Sequence, residues 1–288
     1  MVNQKYSIID LVHKDYVPVI KDSIVYYGGS QMWFPKDRWF SKNYILYHYG
    51  CGTIATADLF LYLAIRNEAY RNPITEAVLQ GTESAYYADY LNYVKKIDSY
   101  YTKTKRFVAV LGPHIATAIN DYSRMFGLKY RAKWKWSLTY YDMLEAMEDM
   151  LSLDIPVILS IGPNTPKLWG RKGISFYQQY SVEVPRKKSD KGKPSKEDAA
   201  AEKSKEERLR TEVSETELRY RYNPVKENIN SHYVTVTGVY KDPLAATIML
   251  HISSWGSEYY INYEEYRDYV NDIGGMMTSS IVSISRKM

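Results

Sequence analysis

The stretch from Tyr49 to Ala57, Tyr-Gly-Cys-Gly-Thr-Ile-Ala-Thr-Ala, contains the only cysteine of the chain and opens a long apolar run. Within this run, apolar residues recur at helical spacing on one side and also fill the opposite side: Ile54, Ala57, Leu61 and Ile65, then Leu59, Phe60 and Leu63. A helix that is apolar almost all round is a buried one. The sequence therefore predicts a central buried helix that begins at Cys51.

The position of Cys51 at a helix start has a chemical consequence. The backbone N–H groups and the helix dipole at that end favour a thiolate, which lowers the pKa of a cysteine from about 8.5 into the range of about 3.5 to 7.5. A thiolate is how a cysteine nucleophile is made, so Cys51 is a candidate catalytic residue. The alternative is a small, inert residue tolerated in the core, as most buried cysteines are.

The bulk composition predicts a globular protein with room for a sizeable core. The chain has 288 residues, 45% of them hydrophobic, and its single cysteine excludes an internal disulfide. A net charge of +5 gives little reason to expect a nucleic-acid partner. The first residues lack the apolar core of a signal peptide, and no run approaches the roughly 18 apolar residues of a membrane span. We therefore expect a cytoplasmic protein with no membrane span.

Hydrophobic patterning divides the chain into a helical half and a β-rich half. Residues 1–42 are aromatic-rich and weakly periodic, and we expect them to wrap around a main domain at 43–288. Amphipathic helices are predicted over 84–100, 112–125 and 140–153, and a buried strand over 155–161. Residues 186–230 begin with a lysine-rich stretch that has almost nothing apolar to bury, which predicts a solvated, disordered insertion. The predicted fold class is α+β.

Basic and aromatic residues alternate from Tyr130 to Trp136. Cations interleaved with aromatic rings occur on surfaces that stack nucleic-acid bases. A period of two is equally the pattern of an exposed strand. We interpret the stretch as a strand and predict no nucleic-acid partner.

The second informative region begins at His232. His232 opens an alternating strand that runs to Tyr240, and residues 246–252 return as its hairpin partner. The motif Ser-Ser-Trp-Gly follows at 253–256. Asn262, with Glu265 three residues later, predicts the start of a helix over 263–270, and residues 279–285 predict a closing strand.

This order of motifs resembles the papain-like cysteine peptidases. In that family a cysteine opens the central helix, a histidine comes from the sheet, and an Asn-Ser-Trp-Gly motif on the next strand supplies the third residue. Here Gly50-Cys51-Gly52, the strand from His232 and the motif at 253–256 occupy those places, and the sequence is most similar to the bacterial branch that includes double-glycine leader peptidases. Cys51 and His232 are 232 − 51 = 181 residues apart, and subtracting an insertion of about 45 residues leaves about 136, within the family's range of about 130 to 150. The resemblance implies a helical half, with the nucleophile on the buried helix, packed against an antiparallel β half.

The sequence departs from the family pattern at two positions. The orienting asparagine is replaced by Ser253, which would hold the Nδ1–H of His232 without a carboxylate's charge; Asp242 is an alternative acid. The family's oxyanion-stabilising glutamine, six residues before the cysteine, is replaced by Ile45. Asn43 or His48 would have to take its place, beside the backbone N–H of Cys51. Trp255 is the expected cleft residue that follows the serines.

These features give one leading hypothesis and two alternatives. The leading hypothesis is a thiol hydrolase that cleaves a peptide or amide bond through an acyl-thioester on Cys51, with His232 as general base and acid and a peptide or protein as substrate. The first alternative is a catalytically inactive papain-like module that binds a peptide, and the second is a thiol acyltransferase or isopeptidase. The other histidines show no metal-ligand spacing, so neither a metal nor a cofactor is predicted: His13, His48, His114 and His251. The sequence does not indicate an oligomeric state.

Overall fold

The computed structural model describes residues 7–162, 173–185, 216–242, 246–273 and 280–286. The chain divides into two compact units, the first drawn from residues 1–178 and 224–288 and the second from residues 179–223. Cys51, His232 and the serine motif all belong to the first unit. The candidate site is therefore a feature of that unit alone.

Seven α-helices occur in the described residues, and together with an antiparallel sheet they confirm the predicted α+β class. The helices are α1 (Lys42–Tyr49), α2 (Cys51–Arg66), α3 (Pro73–Leu79), α4 (Tyr87–Ile97), α5 (Gly112–Met125), α6 (Tyr140–Ser152) and α7 (Tyr263–Ile273). None of these seven is both long and apolar enough to cross a lipid bilayer.

The part of the chain that the structure describes contains twelve strands in two sheets. They are β1 (Ser7–Asp10), β2 (Pro18–Lys21), β3 (Ile24–Tyr27), β4 (Ala85–Tyr86), β5 (Tyr130–Trp136), β6 (Val157–Ile161), β7 (Ile174–Pro185), β8 (Thr216–Ile229), β9 (His232–Asp242), β10 (Thr247–Ser254), β11 (Ser257–Asn262) and β12 (Ser280–Arg286). The large sheet has the order β5-β12-β6-β9-β10-β11-β7-β8, with β1 also paired to β9, and the small sheet has the order β3-β2-β4. The alternating stretch that we interpret as a strand is β5, at one end of the large sheet.

Helix α2 lies at the centre of the first unit, as its apolar sequence predicts. Every residue from Cys51 to Ile65 is buried. Helix α5 packs against it through Tyr122, whose ring stacks on Phe60 at a centroid distance of 3.7 Å. Helix α4 contributes Tyr93, whose hydroxyl donates a hydrogen bond to the Ala57 carbonyl at 2.9 Å.

Two glycines allow the cysteine to sit where it does. Gly50 joins α1 to α2, and a Cβ there would lie 2.3 Å from the backbone oxygen of Leu46. A Cβ on Gly52 would lie 3.3 Å from the ring of Tyr233 and 3.1 Å from the end of Ile115. The glycine at 52 therefore lets the start of β9 approach the first turn of α2 closely.

The segment that precedes α1 contributes to the core of the same unit. Strand β1 pairs antiparallel with β9, with Ser7 opposite Lys241 and Asp10 opposite Gly238. Tyr16 and Val17 are fully buried. The predicted wrapping segment is thus bound to the main body through both a strand pairing and buried side chains.

The hairpin of β9 and β10 extends the predicted strands by a few residues at their ends. Its register shifts at one point, because His251 lies opposite Gly238 whereas Ile252 lies opposite Val236. Thr237 is therefore an extra residue in β9, which defines a β-bulge. The helix α7 starts as predicted, with the Asn262 side chain accepting a hydrogen bond from a backbone N–H in the first turn. The closing strand is β12.

The prediction of a disordered insertion over 186–230 is wrong for its last part, because residues 216–229 form strand β8. The described side chains of this strand are largely exposed. An exposed strand needs no apolar face, so a charged composition does not exclude it. Pro224 lies within β8, which is the last strand in the sheet order, and proline is confined to such edge strands because it lacks an N–H. Residues 186–215 lie outside the described residues.

Candidate active site

Cys51 is the first residue of α2, and only 8% of its surface is exposed. Burial raises the pKa of the Cys51 thiol, although backbone hydrogen bonds from Tyr233, Gly52 and Cys51 itself act in the opposite direction. The predicted lowering of this pKa is therefore wrong, because desolvation outweighs the helix start. The hydrogen bond from Tyr233 also places the sulfur against the residue that follows His232.

His232 opens β9 and is buried, with 8% of its surface exposed. Burial lowers the pKa of its imidazole to about 3. At neutral pH both members of the pair are therefore uncharged: a thiol and a neutral imidazole. Such a pair makes a weak nucleophile at rest and requires the proton to move as the thiol attacks.

The structure brings the cysteine and histidine motifs to one cavity. Its lining includes Cys51, His232, Ser253, Ser254, Trp255, Gln31 and Asp58. The cavity measures about 20 Å³, which is room for about one water molecule. It is too small for a substrate side chain, so side chains of a substrate would be recognised on the surface around it.

The serine that holds His232 is Ser254, whereas the sequence points to Ser253. The Nε2 atom of His232 and the hydroxyl of Ser254 are 2.9 Å apart. Ser253 instead donates its hydroxyl hydrogen to the backbone oxygen of Tyr27 at 2.7 Å. The bonded nitrogen is Nε2, so Ser254 does not engage Nδ1 of His232.

Trp255 occupies the place expected for a cleft residue. Its ring stacks on the imidazole of His232 at a centroid distance of 4.5 Å and an angle of 21°. The indole and the Ser254 hydroxyl together fix both the plane and the rotation of the imidazole. Within the motif at 253–256, Ser254 and Trp255 thus orient the imidazole of His232.

Asp242 is excluded as an orienting acid by its place in the fold. His232 and Asp242 are the two ends of β9. At about 3.3 Å per residue, a strand of this length separates its ends by about 30 Å.

The two residues that the sequence suggests as oxyanion donors are absent from the cavity lining. The side-chain amide of Asn43 donates to Asp37 at 2.9 Å. His48 is exposed and packs against Tyr44, with ring centroids 4.3 Å apart. Both lie on α1, which places these side chains outside the cavity.

Gln31 lines the cavity and, like Asp58 and Ser254, is a site residue that the sequence does not predict. It lies on a short 3₁₀ helix, Gln31–Trp33, and is 51 − 31 = 20 residues before the cysteine rather than six. Its Nε2 donates to the backbone oxygen of Tyr47 at 3.0 Å, and its Oε1 is buried without a hydrogen-bond partner in the described part of the chain. An amide nitrogen carries two hydrogens, so one remains for a ligand.

Asp58 is a buried carboxyl group in the same cavity, two helical turns after Cys51. Its two oxygens accept hydrogen bonds from the Gly29 N–H at 2.9 Å and the Tyr90 hydroxyl at 2.6 Å. Burial raises the pKa of Asp58 to about 7, against the effect of both donors. A Cβ on Gly28 would lie 2.8 Å from Asp58 Oδ2, so the turn at 28–29 passes directly over this carboxyl group.

A second buried histidine has a structural environment of its own. His251 lies 3.2 Å from Glu258 and 3.6 Å from Asp10, and it does not line the cavity. Among the residues that the structure describes, no group of three or more His, Cys, Asp or Glu side chains is arranged as a metal site.

Comparison of the chain with protein-family models, with curated proteins and with solved structures finds no match in any of the three. The chemistry of the cavity is therefore the basis for assigning a function.

Proposed function

We propose that the chain is a thiol hydrolase of papain-like architecture that cleaves a peptide or amide bond. The observation that carries the proposal is the shared cavity: Cys51 at the start of a buried helix and His232 at the start of a strand, with Ser254 and Trp255 orienting the imidazole. A nucleophile, a base and a group that orients the base are the parts that covalent hydrolysis requires.

The uncharged resting pair fits attack coupled to proton transfer. As Sγ of Cys51 bonds to the substrate carbonyl carbon, Nδ1 of His232 takes the thiol proton, and Ser254 accepts a hydrogen bond from Nε2–H of the resulting imidazolium. Gln31 and the backbone N–H of Cys51 would donate to the carbonyl oxygen as it becomes negative. The C–N bond then breaks, and the proton passes from His232 to the leaving amine. Water next attacks the thioester while His232 takes a proton from it, and His232 returns that proton to Sγ as the C–S bond breaks.

The proposal is tested by comparing two electrophiles that alkylate Cys51. Iodoacetamide should react more slowly than with an exposed thiol, because burial keeps the sulfur protonated. A peptidyl acyloxymethyl ketone should label Cys51 much faster than iodoacetamide, because binding aligns its carbonyl with the thiol and His232 takes the proton.

His232→Gln is the matched variant for this comparison. It should abolish the advantage of the peptidyl reagent and leave the slow reaction with iodoacetamide nearly unchanged. Mass spectrometry of the labelled peptide measures both rates. Equal rates for the two reagents in the unchanged protein would refute a hydrolytic site.

The two serines give a paired prediction. Ser254→Ala should lower the rate of peptide hydrolysis by about tenfold, since a hydrogen bond to a charged group contributes about 1.5 kcal/mol or more. Ser253→Ala should change the rate by less than about twofold, because Ser253 bonds the Tyr27 backbone rather than the imidazole. Steady-state hydrolysis of a fluorogenic peptide amide measures the rates of both variants. A larger loss of rate in Ser253→Ala than in Ser254→Ala would show that Ser253 orients the imidazole.

A catalytically inactive peptide-binding module is the second candidate function. It is favoured by the raised pKa of the Cys51 thiol and by a serine in place of a charged or amide orienting group. In that case peptides would bind near the cavity, and no acyl-thioester would form on Cys51.

A further inference from the structure

An arginine near the start of α2 is enclosed by aromatic rings. The guanidinium of Arg106 lies 4.5 Å from the ring centroid of Trp39, 4.6 Å from that of Phe40 and 4.3 Å from that of Phe107. Contacts of this length are cation–π interactions. We call these four residues the Arg106 cage.

Arg106 has no acidic partner among the residues that the structure describes. In the described part of the chain its guanidinium makes no ion pair or hydrogen bond with a side chain, and its Nε is buried without a hydrogen-bond partner. Rings that cover the faces of a guanidinium leave available the edge formed by its two terminal nitrogens, Nη1 and Nη2, neither of which is among the buried atoms without a partner. That edge matches a carboxylate, which accepts two parallel hydrogen bonds from it.

The cage is anchored beside the nucleophile. The loop that carries Arg106 is fixed at one end by a 2.6 Å hydrogen bond between the hydroxyls of Thr104 and Thr53, and Thr53 lies in the first turn of α2. At its other end, Val110 is 3.5 Å from the position of a Cβ on Gly52. The cage therefore adjoins the end of α2 that begins with Cys51.

The surface around the cage is apolar and carries a net positive charge. Phe40 and Phe107 are each 74% exposed, and Trp39 is 59% exposed. Phe40 also lines an open groove of about 310 Å³ with Lys42, Lys103 and Asp98. The one acid of these, Asp98, is neutralised by Lys42 at 2.8 Å, which leaves Lys103 as the excess charge.

We propose that the Arg106 cage is a recognition site for a peptide segment in which a glutamate or aspartate is flanked by apolar side chains. The carboxylate would bind the free edge of Arg106, and the apolar neighbours would pack on the exposed rings. The identification of this segment as part of the substrate rests on the proposed function. The binding site itself does not.

The test measures binding on a Cys51→Ala protein, which cannot turn over a substrate. The probes are short fluorescein-labelled peptides of leucine, alanine and glutamate, each matched to a peptide with glutamine in place of glutamate. Fluorescence polarisation should show the glutamate peptides binding about tenfold more tightly, as expected for one charge-assisted bidentate contact.

Three variants locate that preference. Arg106→Gln should abolish it, and Arg106→Lys should retain only part of it, because an ammonium keeps the charge and loses the flat, two-pronged edge. Lys105→Gln removes the same charge from the neighbouring residue of the loop and should leave the preference intact. Equal effects of the two glutamine variants would overturn the proposal in favour of general electrostatic attraction.

Two further outcomes overturn it. The first is that no peptide of either kind binds. The second is that a single-stranded oligonucleotide binds in an Arg106-dependent way while the glutamate peptides do not, which would indicate base stacking on the exposed rings. Failure of Cys51 labelling with an intact glutamate preference would refute hydrolysis and leave the recognition site standing.

Discussion

Gln31→Ala is expected to lower kcat/KM for the proposed peptide hydrolysis by about 100-fold to 1,000-fold, the usual effect of removing one oxyanion donor. Gln31 lines the cavity with Cys51, and Tyr47 holds one hydrogen of its amide, which leaves the other for a substrate oxygen. The loss should fall on kcat, because the oxygen acquires its charge only in the transition state. Steady-state kinetics with a fluorogenic peptide amide measures the effect.

Asn43→Ala is the matched control, because it removes a side-chain amide of the same chemistry that lies on α1 and bonds Asp37. It should change kcat/KM by less than about twofold. If Gln31→Ala were equally mild, another group would have to stabilise the oxyanion. If Asn43→Ala were the damaging change, the donor would be one of the residues that the sequence suggests.

Gln31 owes its position to the buried carboxyl group of Asp58. Asp58 accepts the N–H of Gly29, and the next residue, Ser30, caps the short helix that starts at Gln31. The turn must approach closely, because a Cβ on Gly29 would lie 1.7 Å from the hydroxyl of Tyr90. Helix α2 therefore carries both the nucleophile and the anchor of the loop that presents the proposed oxyanion donor.

The elements that carry the site follow from local sequence patterns. A helix apolar on all sides has to be buried, and the run from Cys51 to Ile65 is. An alternating strand and its return predict the β9–β10 hairpin, since side chains alternate across a strand. The role of Gln31 cannot be predicted in this way. Gln31 reaches the cavity through a turn that lies 51 − 31 = 20 residues before the cysteine, and it belongs to no periodic pattern in the sequence.

The bulge at Thr237 decides which serine shares the face of His232, whereas Ser253 is predicted only from its place in the family motif. With an unbroken register from His251 opposite Gly238, Ser253 would lie opposite Val236 and share the face of His232. The extra residue shifts the register so that Ser253 lies opposite Thr235, which puts Ser254 on that face instead. One inserted residue exchanges the side chains on the two faces of a strand, and the pattern of residues in this stretch does not predict the bulge.

The pKa of Cys51 illustrates a conflict between two effects of one pattern. The apolar run that predicts the buried helix also removes water from its first residue. The helix start favours the thiolate, but burial disfavours it more strongly and raises the pKa. Sequence reasoning identifies the effect of the helix start, and the depth of burial that outweighs it comes from the packing of β9 on α2.

Asp58→Asn is expected to make folding stability depend more steeply on pH, by on the order of 1.4 kcal/mol per pH unit between about pH 4 and pH 6.5. Burial raises the pKa of Asp58 from 3.8 to about 7, so its contribution to stability is present at low pH and is lost as pH rises through 7. The contribution of His232 has the opposite sign. Burial lowers its pKa from 6.5 to about 3, so stability is present above pH 6.5 and is lost as pH falls towards 3.

In the unchanged protein these two contributions, each on the order of 4 to 5 kcal/mol in full, largely offset each other over the shared range. Asp58→Asn keeps both hydrogen-bonding positions filled, since its oxygen can accept from Gly29 and its amide can donate to Tyr90. With the Asp58 contribution removed, urea midpoints should fall as pH is lowered from about 6.5 to about 4.

His232→Gln should give the reverse, with midpoints that rise as pH is lowered, because only the Asp58 contribution then remains of the two. Other titrating groups are common to all three proteins and cancel in the differences. Parallel profiles for the three would mean that both cavity groups titrate near their ordinary values, and that burial does not hold the Cys51–His232 pair uncharged.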